Sequence, residues 1–169
     1  DRCGHLASFI SNLAQVIRIP EPTFSLISLN EQARSVYSLT SIECRQRNIE
    51  LSLSLTDNDQ YIHVDGIQFE LVLVNIIKNA YEAIGENGRI KISTRHSPLS
   101  IIIEDNGPGI SEEAKQKLFT PFFTTKSSGQ GIGLMFVREV LTNHRCRFSL
   151  STEEGYTRFK IFFPTDIDN

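Results

Sequence analysis

Long apolar runs are missing from this 169-residue chain. No stretch reaches the roughly 18 uncharged apolar residues of a membrane-crossing helix, and the first residues do not read as a secretory leader. An excess of positive charge is missing too: 17 Lys and Arg stand against 20 Asp and Glu, for a net charge of −3. The bulk surface therefore offers no electrostatic attraction to nucleic acid or an anionic membrane. Cysteine is scarce, and Cys3, Cys44 and Cys146 are odd in number, far apart and without C-x-x-C spacing. That argues against a disulfide framework or a zinc site and for a reducing compartment. Internal repeats and low-complexity tracts are absent as well. What remains is the expectation of a soluble, cytoplasmic domain, and the 40% hydrophobic content supports one well-cored unit rather than two large ones.

Periodicity divides the chain. Leu6, Phe9, Ile10, Leu13, Val16 and Ile17 share one helical face, and Pro20 and Pro22 end that helix. Residues 1–22 thus read as the end of a longer helical element plus a linker, although packing on the same domain is the other reading. A short strand over 24–29 follows, with Asn30 as N-cap of a helix to about Arg47 that turns Ala33, Val36, Tyr37, Thr40 and Cys44 inward. Alternation over 49–55 predicts a half-buried strand, and Asp57-Asn58-Asp59 a turn into another over 60–64. Then come a long apolar helix over 66–84, a hairpin over 89–104, a helix over 132–143 and a last hairpin over 146–163. Residues 23–165 form the predicted domain and 166–169 a tail. The fold class expected is α+β: a two-layer α/β sandwich whose mixed, mostly antiparallel sheet carries its helices on one face.

Two features carry chemistry. The helix over 66–84 is apolar almost all round and should be buried, yet Gln68, Asn75, Lys78, Asn79 and Glu82 fall within about a third of its circumference. Polar groups on a buried helix must be satisfied by protein, water or ligand. A structural network is one explanation; two asparagines one turn apart beside a lysine also suit a hydrated Mg²⁺ held partly by phosphates. The second feature is residues 104–134. An acid in a glycine turn, Asp105-Asn106-Gly107-Pro108-Gly109, follows the apolar run 101–103, and a second cluster, Gly129-Gln130-Gly131-Ile132-Gly133, precedes a helix. A helix N-terminus with its free N–H groups suits a phosphate. Between the clusters Phe119, Phe122 and Phe123 fit a lid or a satellite core.

These residues resemble four boxes of the sensor histidine kinases, in the family's order. Residues 75–83 are similar to the N box, 105–109 to the G1 box, 118–123 to the F box and 129–134 to the G2 box. The match extends over about 65–164, and the N-A-x-E-A ending of the N box is closest to the nitrogen-regulation type of kinase. The resemblance places the chain in the group of gyrase, heat-shock chaperone, histidine kinase and mismatch-repair ATPases and implies the Bergerat ATP-binding fold. It implies ATP and Mg²⁺ as cofactors: Asn79 on the metal, Asp105 on the exocyclic amine of adenine, Gly107 and Gly109 letting the chain pass close to the base, and the backbone of Gly131 and Gly133 on the triphosphate. Phe119 of the F box and Gly129, Ile132 and Leu134 of the G2 box complete the implied nucleotide site. Asn75 lies, by analogy, beside phosphate and metal, and Lys78 or Lys126 meets phosphate as a point charge. The implied partners are a histidine-containing dimerisation domain of the same protein, in a homodimer, and a response regulator receiver domain.

Asp105 has a physical reason to select adenine, since an ionised carboxylate only accepts hydrogen bonds and the N6 amine donates one. Position 75 divides the group's chemistry. Hydrolytic relatives, as the resemblance implies, carry a glutamate there as general base, and the Asn75 amide cannot take that proton. Transfer to a protein side chain is therefore the expected reaction, with a hydrolytic ATPase or an anti-sigma-type serine kinase as alternatives. The acceptor is not visible: His5, His63, His96 and His144 lie in no H-E-x-x-N or H-E-x-x-P setting, so it is expected upstream of this chain.

Overall fold

A computed structural model of the chain describes residues 19–117 and 133–165. The predicted helix before Pro20 and the tail after 165 lie outside the described residues.

Strand β1 (Ser25–Ser28) leads directly into helix α1 (Leu29–Gln46). The expected cap at Asn30 is corrected by the structure. The helix begins earlier because Ser28 and Leu29 are already fixed by pairing with Tyr61 and Gln60, so Ser28 is the N-cap, its Oγ accepting from Glu31 N at 3.1 Å. Asn30 is inside the protein instead: its Nδ2 donates to Thr56 O (2.9 Å) and its Oδ1 accepts from Thr94 Oγ1 (2.6 Å), tying α1 to the chain after β2 and to β4.

The alternating run becomes β2 (Ile49–Ser54), and β3 (Tyr61–Val64) pairs antiparallel with β1 as a separate two-stranded ribbon. Helix α2 (Gly66–Ile84) follows, capped by Asp65, whose carboxylate accepts from Ile67 N and Gln68 N at 3.1 Å each. It buries Phe69, Val72, Leu73, Ile76, Ile77 and Ala80, and each of the larger side chains contributes about 1.5–3 kcal/mol of burial. The expectation of all-round burial is corrected. Ile67 is 75% and Leu71 48% exposed, because sheet and helices cover α2 on one side only.

Strands β4 (Gly88–Arg95) and β5 (Ser100–Asp105) form the antiparallel hairpin. After short α3 (Glu112–Lys117), which periodicity did not predict, and α4 (Gly133–Asn143), the chain closes with β6 (Arg147–Glu153) and β7 (Tyr156–Phe162). The main sheet has the order β2-β4-β5-β7-β6, with β2 parallel to β4 and the other neighbours antiparallel. One face carries Ile90, Ile92, Ile101, Ile103, Phe159 and Ile161, which form a continuous core with the inner faces of α1, α2 and α4. The α+β sandwich with its mostly antiparallel sheet is thus the observed fold. No helix among the described residues is long and apolar enough to cross a membrane.

Candidate functional site

The pleat sends two consecutive acids to opposite sides of the sheet. Glu104 points to the outer face, where it accepts from Arg158 Nε at 2.6 Å and lies 4.0 Å from Lys91 Nζ. Asp105, the last residue of β5, turns inward between Ile90 and Thr157 and is 8% exposed. Among the described residues no cation pairs with it. Burial, with a smaller push from the Glu104 charge, holds its carboxyl above the ordinary value, and the hydrogen bond from Gly107 N (2.9 Å) pulls the other way. A carboxylate kept in a dry place with one donor is poised for another donor.

The turn after Asp105 is held at three points. Asn106 Oδ1 accepts from Arg89 N at 2.7 Å, so the turn is bound back onto β4. A Cβ on Gly107 would stand 2.9 Å from Asp105 Oδ1 and 3.2 Å from Ile84 Cγ1, so any side chain there would crowd the carboxylate against the end of α2. Gly109 has φ +80° and would bring a Cβ within 2.7 Å of Thr152 Cγ2. Thr152 Oγ1 accepts from Ile110 N at 3.2 Å and lies 3.3 Å from Thr157 Oγ1, so the last hairpin braces the turn from behind. Thr152 and Thr157 were missed by sequence reasoning. Only the register that sets Thr157 opposite Asp105 reveals them.

Helix α2 supplies the second wall. Asn75 Nδ2 donates to Leu71 O at 2.9 Å, and this fixes the amide so that Oδ1 faces away from its own helix. It faces the start of α4, where a Cβ on Gly133 would stand 3.3 Å from that oxygen. The first described turn of α4 is therefore beside Asn75. Asn79, one turn further along α2, is half-buried on the same side. Lys78 is exposed, with Nζ 3.9 Å from Glu82 Oε1, free to swing to a neighbouring anion at little cost. Leu134 packs partly against the core from the first turn of α4.

The structure thus sets Gly133 beside Asn75 and, at the C-terminal end of the same helix, Gly107 of the Asp105 turn beside Ile84, with Lys78 and Asn79 on the helix between. Phe119, Lys126, Gly129, Gly131 and Ile132 lie outside the described residues. A groove of about 680 Å³ lies elsewhere, along α1 and the edge strand β2, and shares only Asn106 with the turn. The donor set fits a nucleotide and its cation. A desolvated acceptor sits at one end, neutral amide oxygens suit a hard ion, and Gly133 adds no side chain of its own beside Asn75.

Comparison with known proteins bears on this geometry. The family model described as histidine kinase-, DNA gyrase B- and HSP90-like ATPase matches residues 64–167. The sensor histidine kinase ZraS of Escherichia coli strain K12 is 29% identical over 161 residues, which are 94% of this chain and 35% of that protein. The chain therefore spans about a third of the length of such relatives. The nucleotide-free catalytic domain of the histidine kinase ThkA superposes with a TM-score of 0.76 at 35% identity, covering 84% of this chain and 95% of that one. ThkA in complex with the response regulator protein TrrA gives a TM-score of 0.79 at 28% identity, over 98% of this chain and 48% of that one.

Proposed function

The chain belongs to the histidine kinase-, DNA gyrase B- and HSP90-like ATPase family, as a catalytic domain of the histidine kinase type, and on that premise we propose how its residues divide the work of phosphoryl transfer. Two observations together carry the reading: a buried carboxylate at the end of β5 that accepts one backbone hydrogen bond, and an amide oxygen of α2 aimed at the start of α4. In this reading Asp105 accepts the exocyclic amine of adenine, while Gly107 and Gly109 keep the turn clear of the base. Asn79, aided by Asn75, holds Mg²⁺, which when bound offsets the triphosphate charge. The N–H groups at the start of α4, with Gly131, receive phosphate oxygens, and Lys78 or Lys126 meets them as a point charge. Phe119, Gly129, Ile132 and Leu134 are the further nucleotide-binding residues of this reading.

Asn75 cannot act as a general base, so this site favours passing the γ-phosphoryl group to a side chain over activating water. The acceptor is a histidine on a dimerisation domain of the same protein, to which residues 1–22 are the connection, while residues 23–165 are the catalytic domain. The protein as a whole works as a cytoplasmically facing homodimer that passes the phosphoryl group on to a response regulator, as the assembly of ThkA with TrrA supports. Residues 79–83 align it with the nitrogen-regulation type.

The test is reconstitution. The isolated chain should bind Mg-ATP and ADP but not GTP, neither label itself nor turn over ATP appreciably, and phosphorylate a histidine once the preceding helical region is supplied. Stable label on the isolated chain, or rapid ATP turnover by it alone, would restore the hydrolytic alternative.

A further inference from the structure

At the end of the α2–α4 seam away from Gly133, one imidazole joins the two helices. His144 follows the last residue of α4 and is 3% exposed. Its Nδ1 lies 2.7 Å from Val140 O, and since a carbonyl only accepts, that nitrogen carries the proton. Nε2 is then a bare acceptor, and it receives the backbone N–H of Asp65 at 3.0 Å. Asp65 is the N-cap of α2, and its carboxylate also accepts from Thr23 N at 2.9 Å, so three pieces of chain meet at one residue. The edge of the imidazole packs on Phe24, with ring centroids 5.2 Å apart.

The two helices run antiparallel and touch at both ends of this seam. From Asp65 to Asn75 is about 15 Å of helix, and from His144 back to Gly133 about 16 Å, at 1.5 Å per residue. Between these ends α4 buries Val137, Val140 and Leu141, whose packing is apolar and tolerates small axial shifts. The hydrogen bond does not tolerate them: sliding α4 by one residue's rise, about 1.5 Å, would break it. The same slide would change the gap in which a Cβ on Gly133 already stands 3.3 Å from Asn75 Oδ1.

We propose that His144 is a positioning residue for phosphoryl transfer: through Asp65 it sets the axial position of α4, and so where the N–H groups at Gly133 stand relative to Asn75 and Asn79. The inference rests on the reading above that these N–H groups receive phosphate. It differs from a merely structural role in what it governs. The adenine end, Asp105 and its turn, is braced by Arg89 and Thr152 and does not depend on α4. Loss of His144 should therefore be felt by the phosphates and not by the base.

The experiment uses the 169-residue chain with His144→Phe, which keeps a ring on Phe24 but neither donates nor accepts, and His144→Gln, whose amide oxygen can still accept from Asp65 N. Adenosine and a non-hydrolysable ATP analogue with Mg²⁺ are titrated calorimetrically into each. His144→Phe should weaken the analogue about tenfold, the worth of roughly one hydrogen bond, and adenosine hardly at all, with His144→Gln recovering most of the loss. Equal losses for both ligands, or unchanged analogue affinity in a folded His144→Phe, would overturn the inference alone. Should the Phe variant not fold, the Gln variant decides: a smaller loss confined to the analogue supports the role, and any loss shared with adenosine refutes it. A wild-type chain that binds no adenine nucleotide would overturn the site and the inference together.

Discussion

Replacing Asp105 by Asn should move stability and affinity in opposite directions. The substitution keeps shape and volume, and the amide oxygen can still accept from Gly107 N, which lies 2.9 Å from the carboxylate. What changes is the other atom: an acceptor becomes an NH₂ donor facing the donating amine of adenine. The loss is that of a hydrogen bond to a charged group, about 1.5–3 kcal/mol, or roughly 10- to 150-fold in ADP affinity. Folding responds differently. Burial holds the Asp105 carboxyl above its ordinary value, so the native state keeps its proton more readily than the unfolded chain, and the carboxyl's contribution to stability declines as pH rises through that raised value. At neutral pH the wild type carries the whole of that burden and Asp105→Asn does not. The apo variant should therefore melt no lower than wild type. Calorimetric titration with ADP across a pH series makes the comparison sharper still, because adenine needs the ionised form. Wild-type affinity should fall as pH drops through the raised value, and the variant's should stay flat. Equal ADP affinity in the two proteins, or the same pH dependence in both, would refute the assignment of Asp105.

Other outcomes follow from the same geometry. Asn79→Ala should lower phosphoryl transfer by the reconstituted protein on the order of a hundredfold, reflecting the several kcal/mol a metal supplies; ADP binding in EDTA should not change, and a variant with normal transfer would clear Asn79 of the role. Asp65→Ala removes the cap of α2 and should cost about 1–2 kcal/mol in urea denaturation. The Asp65 carboxyl sits below its ordinary value, chiefly through the Thr23 N–H bond, so its stabilisation is present above the unfolded-state value and lost as pH falls through the folded one. Asp65→Asn should accordingly flatten the acid limb of the stability profile, and an unaltered acid limb would contradict this. Phe69→Ala, at a fully buried position of α2 packed 5.3 Å from the ring of Phe163, should lose about 3–5 kcal/mol by the same assay; a loss under about 1 kcal/mol would mean that the core closes around the gap.

Local patterns were legible where one element supplies its own signal. The period of 66–84, the alternation in β2 and the two hairpins all appear in the structure within a residue or two. Pairing between distant elements was not legible: nothing local tells that β2 lies parallel to β4 or that β3 leaves the main sheet to join β1. The cap at Asn30 was misplaced because Ser28 and Asn30 are both good capping residues, and only the contacts with Thr56 and Thr94 show that Asn30 is spent elsewhere. Exposure of Ile67 and Leu71 escaped for a similar reason, since an apolar residue does not reveal whether anything covers it. In the site, Asp105 and its turn were readable because glycines crowd a strand end. His144 stood out only as a histidine in no H-E-x-x-N or H-E-x-x-P setting, and its partner Asp65 lies 79 positions away along the chain.

Asp105 and Gly133 are fixed by separate means, the first by its ladder partners on β4 and β7, the second by the seam between α4 and α2. Neither anchor depends on the length of chain between Ile110, where the braced turn ends, and Gly133. The entropic cost of closing a longer bridge grows slowly, about 0.6 kcal/mol for each doubling. Insertions between Ile110 and Gly133 should therefore leave the melting temperature nearly alone, whatever they do to nucleotide affinity, while the preference for adenine stays with Asp105. The sheet was in effect built with a socket, and evolution can change what is plugged into it without re-registering a strand.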